Sequence, residues 1–158
     1  MFREIRRKER AIDMEATKAL LKNERRAVLS VNGDDGYPYG VPINFVYCEE
    51  EGKVYFHSSR KGHKVDSIKR DDKACLTVYG NVSIGDVEWA PYVQSAIAFG
   101  RCKLVEDQDK GIELVRKLAA KYYPNAEEID MEVNKDGHAV QMIEMTIEHL
   151  SGKQIQER

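Results

Sequence analysis

Long hydrophobic runs are absent from this 158-residue sequence. A bilayer-spanning helix needs about 20 consecutive apolar residues, so no segment is expected to enter a membrane. The first ten residues, Met1 to Arg10, are dominated by charge and lead into no apolar signal core, which argues against secretion. Cysteine is scarce. Cys48, Cys75 and Cys102 are widely spaced and odd in number. They fit neither a disulfide framework nor a zinc site, and a reducing cytoplasm is the expected location. Each lies in a strand pattern, where a small buried thiol is the default. An excess of one charge is lacking too. The 25 Lys and Arg residues against 27 Asp and Glu leave a net charge of −2, whereas a general nucleic-acid binder is usually clearly basic.

Signatures of several chemistries are also missing. His57, His63, His138 and His149 show no two-ligand helical spacing with a carboxylate, and no cysteine pairs with them locally, which argues against zinc or iron. Ser30, Ser83 and Ser95 have no Gly-x-Ser-x-Gly context, so a nucleophile elbow is not expected. There is no Walker loop and no Gly-x-Gly-x-x-Gly, which removes triphosphates and dinucleotides held in a Rossmann manner.

What is present is one domain's length of alternating segments, long enough for a real core. Residues 1–10 read as a basic arm that frays. Asp13 caps a helix over Met14 to Asn23, with Ala16, Ala19, Leu20 and Asn23 inward. Six strands are predicted: Arg26 to Val31, Tyr37 to Cys48, Lys53 to His57, Ala74 to Tyr79, Val93 to Val105 and Ala139 to His149. In the second, Tyr39, Val41, Ile43, Phe45 and Tyr47 share one face, and Gly40, Pro42, Asn44, Val46 and Cys48 the other. Pro42 lacks an amide and predicts an edge or a bulge, and Gly40 leaves room for a close approach. Asn44 adds a donor and an acceptor on that face. Asp107 and Asp109 open a second long helix that Pro124 stops, and a short helix is expected between Ala126 and Gly137. The apolar phase changes at Met142-Ile143, which predicts a bulge. Ser151 to Arg158 reads as a polar tail. Two long helices among six short strands give a mostly-β, α+β domain, and closure into a small barrel, full or split, removes exposed edges.

The stretch from Tyr55 to Arg70 concentrates polar groups at a strand-to-helix turn. Val54 and Phe56 face one way, Tyr55 and His57 the other. Ser58 and Ser59 are natural caps for the following helix. Arg60, Lys61 and Lys64 gather at its start, where cations oppose the helix dipole unless an anion such as a phosphate offsets them. A solvated basic face is the competing reading.

Four segments together resemble a known group. Pro38-Tyr39-Gly40-Val41-Pro42-Ile43-Asn44-Phe45, Val54-Tyr55-Phe56-His57-Ser58-Ser59, Lys61-Gly62 with the helix to Arg70, and Ser95-Ala96-Ile97-Ala98-Phe99-Gly100-Arg101 are similar in order and spacing to the FMN-binding split-barrel superfamily of pyridoxamine 5'-phosphate oxidase. The resemblance is closer to the branch containing the nitroimidazole-resistance (Nim) proteins. It implies a six-stranded antiparallel split β-barrel and a homodimer with one FMN in each of two clefts between subunits. It sets Tyr39, Gly40, Val41, Pro42, Ile43 and Asn44 along the isoalloxazine, and Phe56 and His57 beside the flavin body and ribityl chain. Ser58, Ser59, Arg60, Lys61 and Lys64 fall at the phosphate. Gln94 or Ser95 falls where the pyridoxamine oxidases carry a glutamine contacting the cofactor, and Trp89 with Tyr92 would cover the flavin from the partner subunit.

The sequence departs from those oxidases in having no tryptophan after Trp89 and no recognisable C-terminal arginine-containing substrate segment, so pyridoxine biosynthesis is not implied. The implied activity is transfer of electrons through FMN from a reduced nicotinamide or other donor to a small acceptor such as a nitroaromatic or quinone. His57 is the candidate proton donor, with a structural histidine as the alternative. A flavin-binding sensor without turnover, a deazaflavin protein, and a haem protein ligated by His57, His63 or His149 are the other readings that the fold allows.

Overall fold

A computed structural model describes residues 1–158. Its helices are α1 (Met14–Asn23), α2 (His63–Arg70), α3 (Gln108–Tyr122) and α4 (Ala126–Asp136). The strands are β1 (Ala27–Asn32), β2 (Pro38–Ile43), β3 (Phe45–Cys48), β4 (Lys53–Ser58), β5 (Lys73–Ser83), β6 (Tyr92–Leu104) and β7 (Gln141–Gln156). All seven belong to one antiparallel sheet in the order β2-β1-β5-β6-β7-β4-β3.

The seventh strand, against the expected six, comes from a break at Asn44. Ile43 ends β2 opposite Ala27 of β1, while Phe45 opens β3 opposite Phe56 of β4. Those two ladders are the opposite ends of the sheet. A single residue spans at most about 3.6 Å, so the two ends must meet at Asn44. The sheet is therefore curled into a barrel that is left unpaired along one seam. The side-chain alternation runs in phase through the break, which conceals it in the sequence. Tyr39, Val41, Ile43 and Tyr47 pack on the main core and Phe45 lies within it, while Cys48 and Val46 belong to a second cluster. Pro42 does sit in an edge strand, where a missing amide disturbs the ladder least.

The barrel interior is filled by Leu29, Phe56, Leu76, Ala98, Ile143 and Met145, closed off by Leu20 and Leu21 of α1 and Ile68 of α2. The second cluster lies outside the barrel wall, where Leu114 and Leu118 of α3 cover Cys48, Tyr55 and Met142. Each fully buried leucine contributes about 1.5–3 kcal/mol relative to exposure, so α3 is fastened firmly against β3 and β4.

Helix α1 has the expected bounds because its cap is local: Asp13 Oδ1 accepts from the Ala16 N–H at 2.7 Å. Its inward residues differ. Thr17, Leu20 and Leu21 are buried and Asn23 is exposed, because α1 lies against β7 as well as the barrel mouth. A Cβ on Gly152 would fall 2.1 Å from Thr17 Oγ1, so that crossing requires glycine.

Strand β7 absorbs the expected tail, pairing with β6 as far as Tyr92 opposite Gln156. Its irregularity falls at Glu148, between the Phe99–His149 and Gly100–Ile147 pairs. It does not fall at Met142-Ile143, which pair regularly with His57 and Phe56. The arm lies against the barrel. Lys8–Arg10 forms a 3-10 turn, and the Phe2 ring stacks on His149 at 4.9 Å and Phe99 at 5.4 Å. No helix is long and apolar enough to cross a membrane.

Candidate functional site

The seam opens a cleft of about 510 Å3. Arg26 and Ala27 enter it from the start of β1, Pro42, Ile43 and Asn44 from the end of β2, His57, Ser58 and Ser59 from the end of β4, and Lys64 from α2. Asn44 and His57 also border a smaller hollow of about 160 Å3, walled by Val115, Leu118 and Tyr122 of α3 and by Glu132 and Asp136 of α4. The two spaces therefore share a boundary at the break in the barrel.

Helix α2 starts later than the serines suggest. Its N-cap is Gly62, whose φ of 136° is a conformation that favours glycine, and no side chain caps it. Arg60 and Lys61 thus precede the helix, and only Lys64 of the three lies in its first turn. Arg60 turns away and donates to the His138 carbonyl at 2.7 Å. Lys61 is exposed on the loop, and the Ser59 hydroxyl donates to its carbonyl at 2.5 Å. Neither basic residue lines the cleft.

Two groups in the cleft lack what burial normally demands. Ser58 is 6% exposed and its Oγ has no hydrogen-bond partner. A buried polar group left unpaired costs about 1–3 kcal/mol. Lys64 is partly buried, and desolvation holds its ammonium below the ordinary lysine range. His57 lies open to the cleft but is desolvated by its walls. That desolvation, and next the charge of Lys64, hold the imidazole below its usual range. At neutral pH it is uncharged, with one nitrogen able to donate and the other to accept.

The seam itself is pinned by α3. The Tyr122 hydroxyl accepts from the Phe45 N–H at 3.0 Å and donates to the Arg25 carbonyl at 2.6 Å. One side chain thus ties the residue after the break to the chain just before β1. Beside it Lys121 Nζ lies 3.7 Å from the centre of the Phe45 ring. Burial, and then Arg25, bring the Lys121 pKa down to about 8.

The other residues singled out from the sequence lie apart from the cleft. Phe56 is in the barrel core, Val41 packs on it, and Tyr39 stacks on His63 at 4.0 Å. Gly40 is on the outer face, where a Cβ would meet Val28 and Ser30 only at ordinary contact distances. Trp89 is 74% exposed in the segment joining β5 to β6. The Gln94 amide sits between Asn81 and Gln154, and Ser95 lies opposite Tyr79 and Lys153. Arg26 and the α3–α4 wall were not foreseen. Arg26 immediately precedes Ala27, the partner of Ile43, a relation visible only once the β1–β2 register is known.

Fold and site together define a mostly-β split barrel with an open cleft at its seam. The sequence matches the pyridoxamine 5'-phosphate oxidase family over residues 13–154, and the chain belongs to that family. No curated protein matches it. Among solved structures it is similar to a candidate 5-nitroimidazole antibiotic resistance protein from Bacteroides thetaiotaomicron, at 18% identity over 92% of this chain and 87% of that one, with a TM-score of 0.76. It is similar to a FAD-binding protein from Mesorhizobium loti, at 19% identity over 92% and 97% of the two chains, with a TM-score of 0.64. A FAD and heme binding protein from Mycobacterium smegmatis matches at 18% identity over 92% and 72%, with a TM-score of 0.71. At these identities the likeness is one of fold.

Proposed function

We propose that the seam cleft holds FMN by its phosphate and that the protein passes electrons through it from a reduced nicotinamide or similar donor to a small acceptor such as a nitroaromatic or quinone. The observation that carries this reading is the desolvated Lys64 ammonium in a cleft also lined by Ser58, whose buried hydroxyl has no partner. A phosphate supplies the counter-charge that Lys64 lacks. Lys64 meets it as a point charge and Arg26 can add a forked pair of donors. The flavin would supply the redox chemistry. Asn44 would hold its place by one donor and one acceptor, and neutral His57 keeps a proton at the boundary with the smaller hollow, where a small acceptor would bind. The two FAD-binding proteins of the same fold support a flavin in general.

The same reading includes a homodimer. The outer face of the barrel carries Val28, Ile97, Phe99 and Tyr79 at 36, 37, 38 and 65% exposure. Val28, Thr77 and Ile97 line up across three strands, and Ser30, Cys75 and Phe99 form the next row. This face, apolar at Val28, Ile97, Phe99 and Tyr79 and interrupted by Ser30 and Thr77, suits a second copy of the chain, which would carry Trp89 and the Gln94–Ser95 region toward its partner's cleft.

The test begins with the cofactor that accompanies the purified protein. A flavin spectrum with the mass of FMN supports the reading, whereas a Soret band or a deazaflavin mass overturns the choice of cofactor. Lys64→Ala should weaken FMN binding by roughly 10- to 100-fold, the loss of a charged hydrogen bond. Arg60→Ala and Lys61→Ala should change it by less than about threefold, in keeping with exposed charges. Equal affinity in Lys64→Ala and wild type would remove the phosphate from this cleft. Anaerobic stopped-flow then separates an oxidoreductase, which reduces an acceptor, from a flavin sensor, which does not.

A further inference from the structure

The N-terminal arm brings together positive charges that nothing in the fold neutralises. Its 3-10 turn is closed by the Arg10 N–H donating to the Arg7 carbonyl at 3.0 Å and the Ala11 N–H to the Lys8 carbonyl at 3.1 Å. Ala11 bridges Lys153 of β7, and the Ile12 N–H donates to the Gly152 carbonyl at 3.1 Å. The turn is thus fixed to the end of the β6–β7 ladder. Arg7 immediately precedes this turn and Arg10 ends it. Both line a cavity of about 480 Å3, as does Arg158 beyond the end of β7. Most of the cavity surface is polar; Tyr92, Ile12 and Ile155 supply its smaller apolar part, and Glu9 is the one acidic side chain among the lining residues.

Three arginines elsewhere in the fold have carboxylate partners. Arg70 pairs with Asp34, Arg101 with Asp72 and Glu148, and Arg116 with Asp130. Arg7, Arg10 and Arg158 form no ion pair, although Glu9 is close by in sequence. Three guanidiniums lining one cavity favour an anion that joins them. Their planar forks match phosphate oxygens two at a time. The volume falls within the range of roughly 300–1,000 Å3 usual for small-ligand sites, and the Tyr92 ring offers a face for an organic group.

We propose that this cavity binds a small phosphate ester with a flat organic part, at a site separate from the seam cleft. Arg7 and Arg10 grip the phosphate, Arg158 adds charge, and Tyr92 carries the organic moiety. The proposal does not depend on the flavin reading.

Isothermal titration of the full chain and of its Lys64→Ala variant with ADP and with inorganic pyrophosphate tests it. The expected result is one ADP per chain, bound more tightly than pyrophosphate because the Tyr92 ring meets the base, and bound equally well by Lys64→Ala. The Arg7→Gln/Arg10→Gln double variant should bind ADP at least tenfold more weakly, and Arg158→Gln severalfold more weakly, with unchanged circular dichroism and urea midpoint because these side chains take no part in the core. Equal ADP affinity in wild type and double variant overturns the proposal, as does a loss of ADP binding in Lys64→Ala. Pyrophosphate binding as tight as ADP would remove the role of Tyr92 and leave a site for phosphate alone. If the chain binds no FMN, the comparison of wild type with double variant still decides this site, while the flavin reading fails separately.

Discussion

Ser58, Lys64 and His57 form a set in which each residue is at odds with its surroundings. Replacing Ser58 by alanine removes a hydroxyl with no partner. Ser58→Ala should therefore leave the cofactor-free protein as stable or stabilise it by up to about 1 kcal/mol, and at the same time weaken FMN binding. Thermal melts and FMN titrations of the one variant would show these opposite signs; a loss in both would mean that the hydroxyl has a structural partner. His57 should titrate by NMR below the ordinary value near 6.5, first through desolvation and then through Lys64. Lys64→Gln should move it upward, and so should FMN, whose phosphate offsets the lysine. The sign for stability follows from proton counting. Below about pH 6.5 the unfolded chain binds a proton at residue 57 that the folded chain resists. Stability is fully present above that pH and falls as the pH drops toward the depressed folded value. Between pH 7.5 and 5 the urea midpoint of wild type should fall by more than that of His57→Gln.

Among the elements, α3 controls the seam. Phe45 begins a strand just where the ladder breaks, and the Tyr122 hydroxyl takes up its N–H in place of a neighbouring strand. Tyr122→Phe should cost about 1–3 kcal/mol in urea unfolding, the usual penalty for an unpaired buried donor, and should speed hydrogen exchange at the Phe45 amide more than elsewhere. Local chemistry of this kind is also what made part of the fold legible. The Asp13 cap and the alternation of β4 depend on neighbours in sequence and could be read from it. The break at Asn44 could not, because the side-chain alternation on either side of it stays in phase. The strand over Ser151 to Gln156 could not either, since its polar residues are held by pairing with β6. At the site, the basic run from Arg60 to Lys64 was visible, yet only the position of the Gly62 cap separates Lys64 from the two residues before it. Arg26 reaches the cleft across the β1–β2 ladder, a neighbour that no local pattern announces.

For the whole molecule, the proposed homodimer rests on the apolar outer face, and Phe99→Asp is its direct test. Light scattering should give a dimer for the wild type and a monomer for the variant, with FMN affinity falling alongside. A monomeric wild type with full FMN affinity would place the cofactor within one chain. The strand order has a further consequence, for how the chain acquires its shape. Strand β7, last in the sequence, lies between β6 and β4. Before it pairs, the sheet exists as two pieces, β2-β1-β5-β6 and β4-β3, joined through Asn44 and each with a bare inner edge. The last strand therefore joins the two halves, and its pairing of Phe56 with Ile143 spans more than half the chain. Long-range pairing of this kind is slow, and unpaired edges invite association with other chains. A nascent chain that has not yet released β7 from the ribosome has no barrel to finish, and loss of that strand would leave two sticky half-sheets instead of a shortened protein.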